Sequence, residues 1–189
     1  MANMDATQVT VGAASATGAI YVAPKDTALP TNATTELGED FKLLGFTSDA
    51  GVTISESSSD DTIKAWEGRT TVYTVKTEYT ESVSFTPIQC NEDVAELTWG
   101  ADAVTVDETT GAICAMHHGQ TMEPVVAVIE TTPREGIVKR YCMTTQLTER
   151  GDITMDGTQV DGRQLTFNNI ADANGKTMYE YTAFISSGE

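Results

Sequence analysis

Basic residues are scarce in this 189-residue chain. Eleven Lys and Arg stand against 28 Asp and Glu, for a formal charge of −17. Nucleic acid is held through its phosphates by Lys and Arg, and this chain has no basic run, so ordinary nucleic-acid binding is excluded. The acidic excess is not a tail: residues 1–100 carry 15 acids and 5 bases, and the remainder is also acidic. Cysteine is sparse. Cys90, Cys114 and Cys142 are odd in number and widely spaced, which excludes a disulfide framework and a CxxC pair. Each is expected to be reduced and to serve as a small apolar residue. No apolar run is long enough to span a membrane, and no charged start followed by an apolar segment marks a signal peptide. Asn32-Ala33-Thr34 fits a glycosylation sequon but has no secretion signal beside it. Aromatics make up only 7% of the chain. Thr, Ser, Ala, Val and Gly are plentiful, a mixture that favours strands and turns over helices.

Catalytic constellations are missing as well. His117 and His118 are the only histidines. In a strand they would face opposite sides and could not grip one metal. Gly175-Lys176-Thr177 has the end of a phosphate loop, but position 170 is Ile where the motif needs Gly, and no helix is expected to follow. Asp152 and Asp156-Gly157 fail the calcium-loop spacing. There is no GxSxG elbow. Glu78 and Glu81 could form a glycosidase-type pair only by the chance proximity expected in so acidic a chain. The chain is read as a non-enzyme without cofactor or metal.

Residues 1–34 read as an extended arm: small, polar, and interrupted by Pro24 and Pro30, with only Ile20-Tyr21-Val22 able to seat a short strand. The arm is either a disordered terminus or a segment that orders against a neighbouring subunit. Residues 35–189 read as one β-sandwich domain. The pattern predicts a strand over Lys42–Thr47, a turn at Ser48–Gly51, a strand over Val52–Ser55 and a polar loop over Ser55–Asp61. Period-two alternation through Gly68–Gln89 predicts a hairpin turning at Glu78–Thr80, with Val75 opposite Val83 and Tyr73 opposite Phe85. One short helix is predicted at "CNEDVAELTWG", with Asn91 as N-cap and Gly100 as its stop. Further strands are predicted at 103–106, 112–117, 125–130 and 137–147. Two more, 164–171 and 178–185, are expected to form a hairpin across Asn174-Gly175. The expected fold is mainly β (α+β): two packed antiparallel sheets forming a sandwich or open barrel, one flanking short α-helix and the N-terminal arm. Trp66 and Trp99, beside glycines at element ends, are expected to pack in the core.

The order of motifs carries a resemblance. "FKLLGFTSDAGVTISES" is followed by "TIKAWEGRTTVYTVKTEYTESVSFTPIQCNEDVAELTWG", then "DETTGAI", then "VVAVIETTPREGIVKRYCMTTQLTERGDITMDG". "ADANGKTMYEYTAF" fits a closing hairpin. In this order, over most of residues 41–157, the chain resembles the major tail tube proteins of long-tailed, non-contractile bacteriophages. The resemblance implies rings, usually hexameric, that stack into a hollow tube in the virion tail. The tube is assembled in the bacterial host cytoplasm and carries genomic DNA into the host without binding it tightly. The implied partners are further copies of the chain and other tail proteins at the tube ends, with no membrane. On this reading Lys76, Glu78, Glu81, Ser82 and Ser84 are candidate lumen or ring-contact residues. Ile20, Tyr21, Val22, Ser57, Asp60 and Asp61 are candidate inter-ring arm and loop residues, ordering on assembly. The competing expectation is a monomeric or trimeric β-sandwich that decorates a surface and binds a host carbohydrate or protein, with exposed aromatics at its loop tips.

Overall fold

A computed structural model of the chain describes residues 9–14, 18–134, 136–158 and 160–185. Among them are ten strands: β1 (Ile20–Pro24), β2 (Lys42–Leu43), β3 (Thr47–Lys64), β4 (Thr71–Pro87), β5 (Val104–Asp107), β6 (Ala112–Ala115), β7 (Val125–Arg134), β8 (Ile137–Arg150), β9 (Leu165–Ile170) and β10 (Tyr179–Phe184). One helix, α1 (Glu92–Trp99), follows β4. Eight strands form one antiparallel sheet in the order β2-β1-β7-β8-β9-β4-β3, with β10 also on β8; β5 and β6 form a second, two-stranded sheet. The sheets do not close into a barrel, and the architecture is the expected mainly-β sandwich class.

Alternation along the strands builds the core. Cross-strand partners share a face, so register sets Ile54, Val83, Phe167 and Leu147 in one row and Val52, Phe85 and Leu165 in the next. The Phe85 and Phe167 rings stack with centroids 5.4 Å apart. Ile20, Ile129 and Met143 extend the same cluster, and Leu97 of α1 lies against it. The helix forms as the sequence predicts. The Asn91 side chain accepts from the Val94 N–H at 2.8 Å and donates to the Leu44 carbonyl at 3.1 Å, so the cap also ties the helix to the β2 segment.

The other face of the sheet is covered too. Val126, Val128 and Cys142 are fully buried. Over them lies the connection of residues 25–41, held by Arg140, which is only 4% exposed. Its Nη1 donates to the carbonyls of Asn32 (3.0 Å) and Thr35 (2.8 Å), and its Nε to Glu130 (2.8 Å). Burial pushes the Cys142 thiol up to about 11.

Several expected turns are not turns. Residues 48–51 do not close a hairpin; they form an irregularity within β3, with Gly51 at φ +71°. Ser55–Asp61 is not a loop but the middle of β3, and Glu78–Thr80 is not a turn but the middle of β4. The true turn lies at residues 65–70, closed by a bond from the Ala65 N–H to the Thr70 carbonyl. Val83 therefore faces Ile54 rather than Val75, and Tyr73 faces Ile63 rather than Phe85. The Asn174-Gly175 turn exists, yet β9 and β10 do not pair with each other. Both pair with β8, one after the other along the same edge. Asp172 explains this: its carboxylate accepts from the amides of Asn174 and Lys176 and from the Tyr179 hydroxyl, folding the segment into a self-contained excursion.

Replacing Arg140 with Ala leaves Glu130 without its partner and two loop carbonyls without donors. The expected loss is about 3–5 kcal/mol, read from the urea midpoint. Asp172 is held down to about 2 from an ordinary value of 3.8, first by the Tyr179 hydroxyl and then by the Lys176 and Asn174 amides. Its contribution is present above 3.8 and disappears as pH falls towards 2. The stability gap between the native chain and Asp172→Ala, measured by thermal melts across that window, is expected to close as the pH falls.

Candidate assembly surfaces

β4 pairs with β9 only over Ser82–Phe85, while its pairing with β3 continues to Thr71. The β3–β4 ribbon therefore runs beyond the sheet as two strands alone, over roughly 35 Å at about 3.3 Å per residue. From Thr53 to Lys64 and from Thr71 to Tyr79 every residue is exposed. The sequence explains how the ribbon tolerates water: Ser55, Ser57, Ser59, Thr80 and Ser82 line one face through register and alternation. Its outer part is different. Ile63 and Tyr73 pair there, beside Asp61 and Val75, and at the tip Trp66 is 95% exposed. Trp66 thus lies outside the core, contrary to expectation.

The two sets of candidate residues, taken from separate stretches of sequence, turn out to be facing strands of this ribbon. Asp60 pairs with Lys76, Ser57 with Thr80, and Glu78 with Ser59. Lys76 Nζ stands 5.4 Å from the Tyr79 ring centre. Ser82 and Ser84 lie half-buried where the ribbon joins the sheet. Glu81 is only 5% exposed and accepts a bond from Thr177 of the excursion, so its carboxylate is spent inside the subunit. Ile20 is 1% exposed within the core, and Tyr21 and Val22 are half-buried in the sheet between β2 and β7. The part of the expected arm before Val9, and residues 15–17, lie outside the described residues.

A second surface opens on the core face at the end that α1 does not cover. There Phe46, Val52, Ile54, Ile129 and Tyr141 line a groove of about 560 Å³, edged by residues 10–14. The third unusual site surrounds Trp99. His117 stacks on its indole with centroids 3.8 Å apart, and the Arg150 and Arg163 guanidinium carbons stand 4.6 and 5.3 Å from the ring centre. His118 Nε2 donates to the Trp99 carbonyl, while its Nδ1 accepts from the Gln120 N–H. The histidines do not face opposite sides of a strand, because β6 ends at Ala115 before reaching them. Burial and the neighbouring Arg163 charge lower the Arg150 pKa. Among the described residues no three His, Cys, Asp or Glu side chains converge as a metal site, and no helix is long and apolar enough to cross a membrane.

A folded body that sends out an unsupported two-stranded ribbon and leaves part of its core face open is built to associate. Its class is that of a self-assembling β-sandwich structural protein. A family model described as phage tail tube protein matches residues 1–184, and the chain belongs to that family. It is a structural component of the phage tail tube. No curated protein matches the chain in sequence.

Trp66 is open to solvent at the ribbon tip and Trp99 is enclosed between His117 and two arginines. Acrylamide is expected to quench the unassembled protein in two components, and Trp66→Phe is expected to abolish the steep one. A single shallow Stern–Volmer line before the substitution would contradict the projecting tip.

Proposed function

We propose that copies of this chain stack as hexameric rings into a hollow tube, the conduit through which the phage genome passes into the host cell. The observation that carries this reading is the β3–β4 ribbon. Two strands without a third layer are marginal in water, so a ribbon this long needs neighbours; among the described residues, Thr177 of the excursion reaches its root, at Glu81 and Tyr79. The ribbon and the apolar groove on the core face are the surfaces that other copies cover. The described part of the arm is seated in the sheet through its strand Ile20–Pro24.

The acidic balance suits the bore of such a tube. Each of six subunits brings −17 to a ring. A wall of that sign repels phosphates only within about 8 Å at physiological ionic strength, so the DNA stays centred and slides. Lys and Arg on the wall would hold it through counterion release. The hydroxyl-lined ribbon face, with Glu78 at its middle, lines the lumen or the ring-to-ring contact.

The exposed Trp66 is the one feature that favours the second reading, a monomeric or trimeric surface protein that binds a host carbohydrate or protein. Negative-stain microscopy of concentrated protein separates the two: stacked rings are expected, and dispersed monomers or trimers at every concentration would sink the tube. Glu78→Lys places a cation on the proposed wall. It is expected to slow DNA ejection from assembled virions severalfold while leaving tube length unchanged, and an unaltered ejection rate would remove Glu78 from the lumen.

A further inference from the structure

Two guanidinium groups share one indole at Trp99, and neither meets a carboxylate. Arg150 donates its Nε to the Thr98 carbonyl at 2.8 Å, while its Nη2 is buried with no acceptor among the described residues. Arg163 makes no hydrogen bond or ion pair among the described residues, and its Nε is buried without an acceptor. Leaving such charged donors unsatisfied is costly. Cations are also rare here. Lys25, Lys42, Lys139 and Arg140 each meet an acid within the subunit. Other cations without an acid partner, such as Lys64, Arg69 and Lys76, are exposed, whereas Arg150 and Arg163 each bury a guanidinium nitrogen that has no acceptor among the described residues.

Arg163 is the accessible member of the pair. Arg163 lines an open groove of about 320 Å³ with Trp99, His117, Ile113, Ile153 and Pro87. The segment bearing Arg163 is pressed onto the end of β4: a Cβ on Gly162 would stand 2.8 Å from Thr86 Cγ2 and 3.1 Å from the Pro87 carbonyl oxygen. This fixes the position of the cleft in the molecule. It sits at the Pro87 end of β4, whereas the ribbon projects from the Thr71 end of the same strand. The two surfaces thus lie at opposite ends of one axis. Contacts between opposite ends are heterologous, and heterologous contacts propagate from copy to copy rather than closing a pair.

We infer that Arg163, backed by Arg150 on the Trp99 ring, forms a carboxylate-binding cleft that receives one carboxylate of the Asp60–Asp61 pair from the ribbon of a second copy. The inference rests on the self-assembly reading above. The ribbon projects its acids from the body, and Asp60 and Asp61 are the two of them that are adjacent in sequence. Asp60 and Asp61 are exposed and adjacent, on strand faces opposite to each other, so one side chain faces the cleft whichever face of the ribbon is presented. Arginine's planar fork on an aromatic ring accepts a carboxylate in two parallel hydrogen bonds, a geometry lysine does not reproduce. Two acidic copies thereby gain a pairing specific in direction.

A double-mutant cycle on assembly tests it, with the critical concentration for tube formation as readout. Arg163→Ala alone and Asp60→Asn/Asp61→Asn together are each expected to raise it about tenfold or more. The combination is expected to raise it no further than either alone. Strictly multiplicative effects, or no effect from the ribbon changes, overturn the pairing. A second measurement does not depend on how far either variant weakens assembly. Arg163→Lys protein, in heavy- and light-isotope pools, is mixed with assembling wild-type chains and treated with carbodiimide. Inter-chain peptides joining position 163 to Asp60 or Asp61 are expected in tubes and absent from monomers. Tubes whose inter-chain links at position 163 lead to other carboxylates, or to none, overturn the cleft but leave the tube intact. Wild-type protein that never assembles overturns both.

Discussion

The constraint on which the rest depends is that β4 belongs to the sheet for only part of its length. At its Pro87 end it is flanked on both sides, by β9 and by β3, and contributes Val83 and Phe85 to the core. At its Thr71 end, among the described residues, it has one neighbouring strand and no layer above or below. Burial of apolar area is the dominant favourable term in folding, and the outer ribbon gains almost none within its own subunit. Its strands are kept paired by backbone hydrogen bonds and by Thr, Val, Ile and Tyr, residues that favour extended backbone. The hydroxyl-rich face keeps it soluble meanwhile. Such an element suits a protein that assembles with other copies of itself, as the tail tube family implies.

The body from which the ribbon projects is correspondingly firm. β8 is its spine, holding β7 along one side and β9 then β10 along the other. The Asp172 excursion carries the chain from β9 to β10, so both strands pair with one edge of β8 and only β9 lies between β8 and β4. Thr177 of that excursion reaches Glu81 at the root of the ribbon, so the same device that splits the edge also braces the projecting element. Arg140 fixes the opposite face by spanning from Glu130 to the 25–41 connection. Loads on the ribbon are thus passed to a sheet buried on both faces.

What was legible in the sequence follows from how local each signal is. Helix α1 was readable in full, because Asn91, the acidic first turn and Gly100 act within a few residues of one another. The mainly-β class and most strand positions were readable from alternation. The pairing was not. Gly68–Gln89 alternates cleanly whether it folds on itself or lies as one strand, and apolar faces match in either register. Only the partner decides, and the partner, Ser55–Asp61, reads as a loop because Ser and Asp disfavour strands when judged alone. The Asn174-Gly175 signal was right about the turn and wrong about the hairpin, since Asp172 captures the local donors before two strands can meet. The candidate residues came from two stretches, and the structure joined Ser57, Asp60 and Asp61 to Lys76 and Glu78. It withdrew Glu81 and Ile20 into the interior. The Trp99 cluster carried no signal at all: Trp99, His117, Arg150 and Arg163 are scattered along the chain and converge only through packing.

Charge sets the last condition. Copies this acidic repel one another at any separation below the screening length, and that repulsion is indifferent to orientation. Association therefore has to come from short-range features that outweigh a diffuse penalty, which are apolar contact and the few cations. The cations are not spread evenly. Lys64, Arg69 and Lys76 sit on the ribbon, and Arg150 and Arg163 flank Trp99 near the far end of β4. The ribbon also carries Glu56, Asp60, Asp61, Glu67 and Glu78, so an acidic end and the Arg150–Arg163 end lie at opposite ends of one axis, and end-to-end approach brings unlike charges together. A subunit so arranged resists disordered clumping and favours directed association, and under the proposed function the net negative charge that limits its assembly would also suit a bore for DNA.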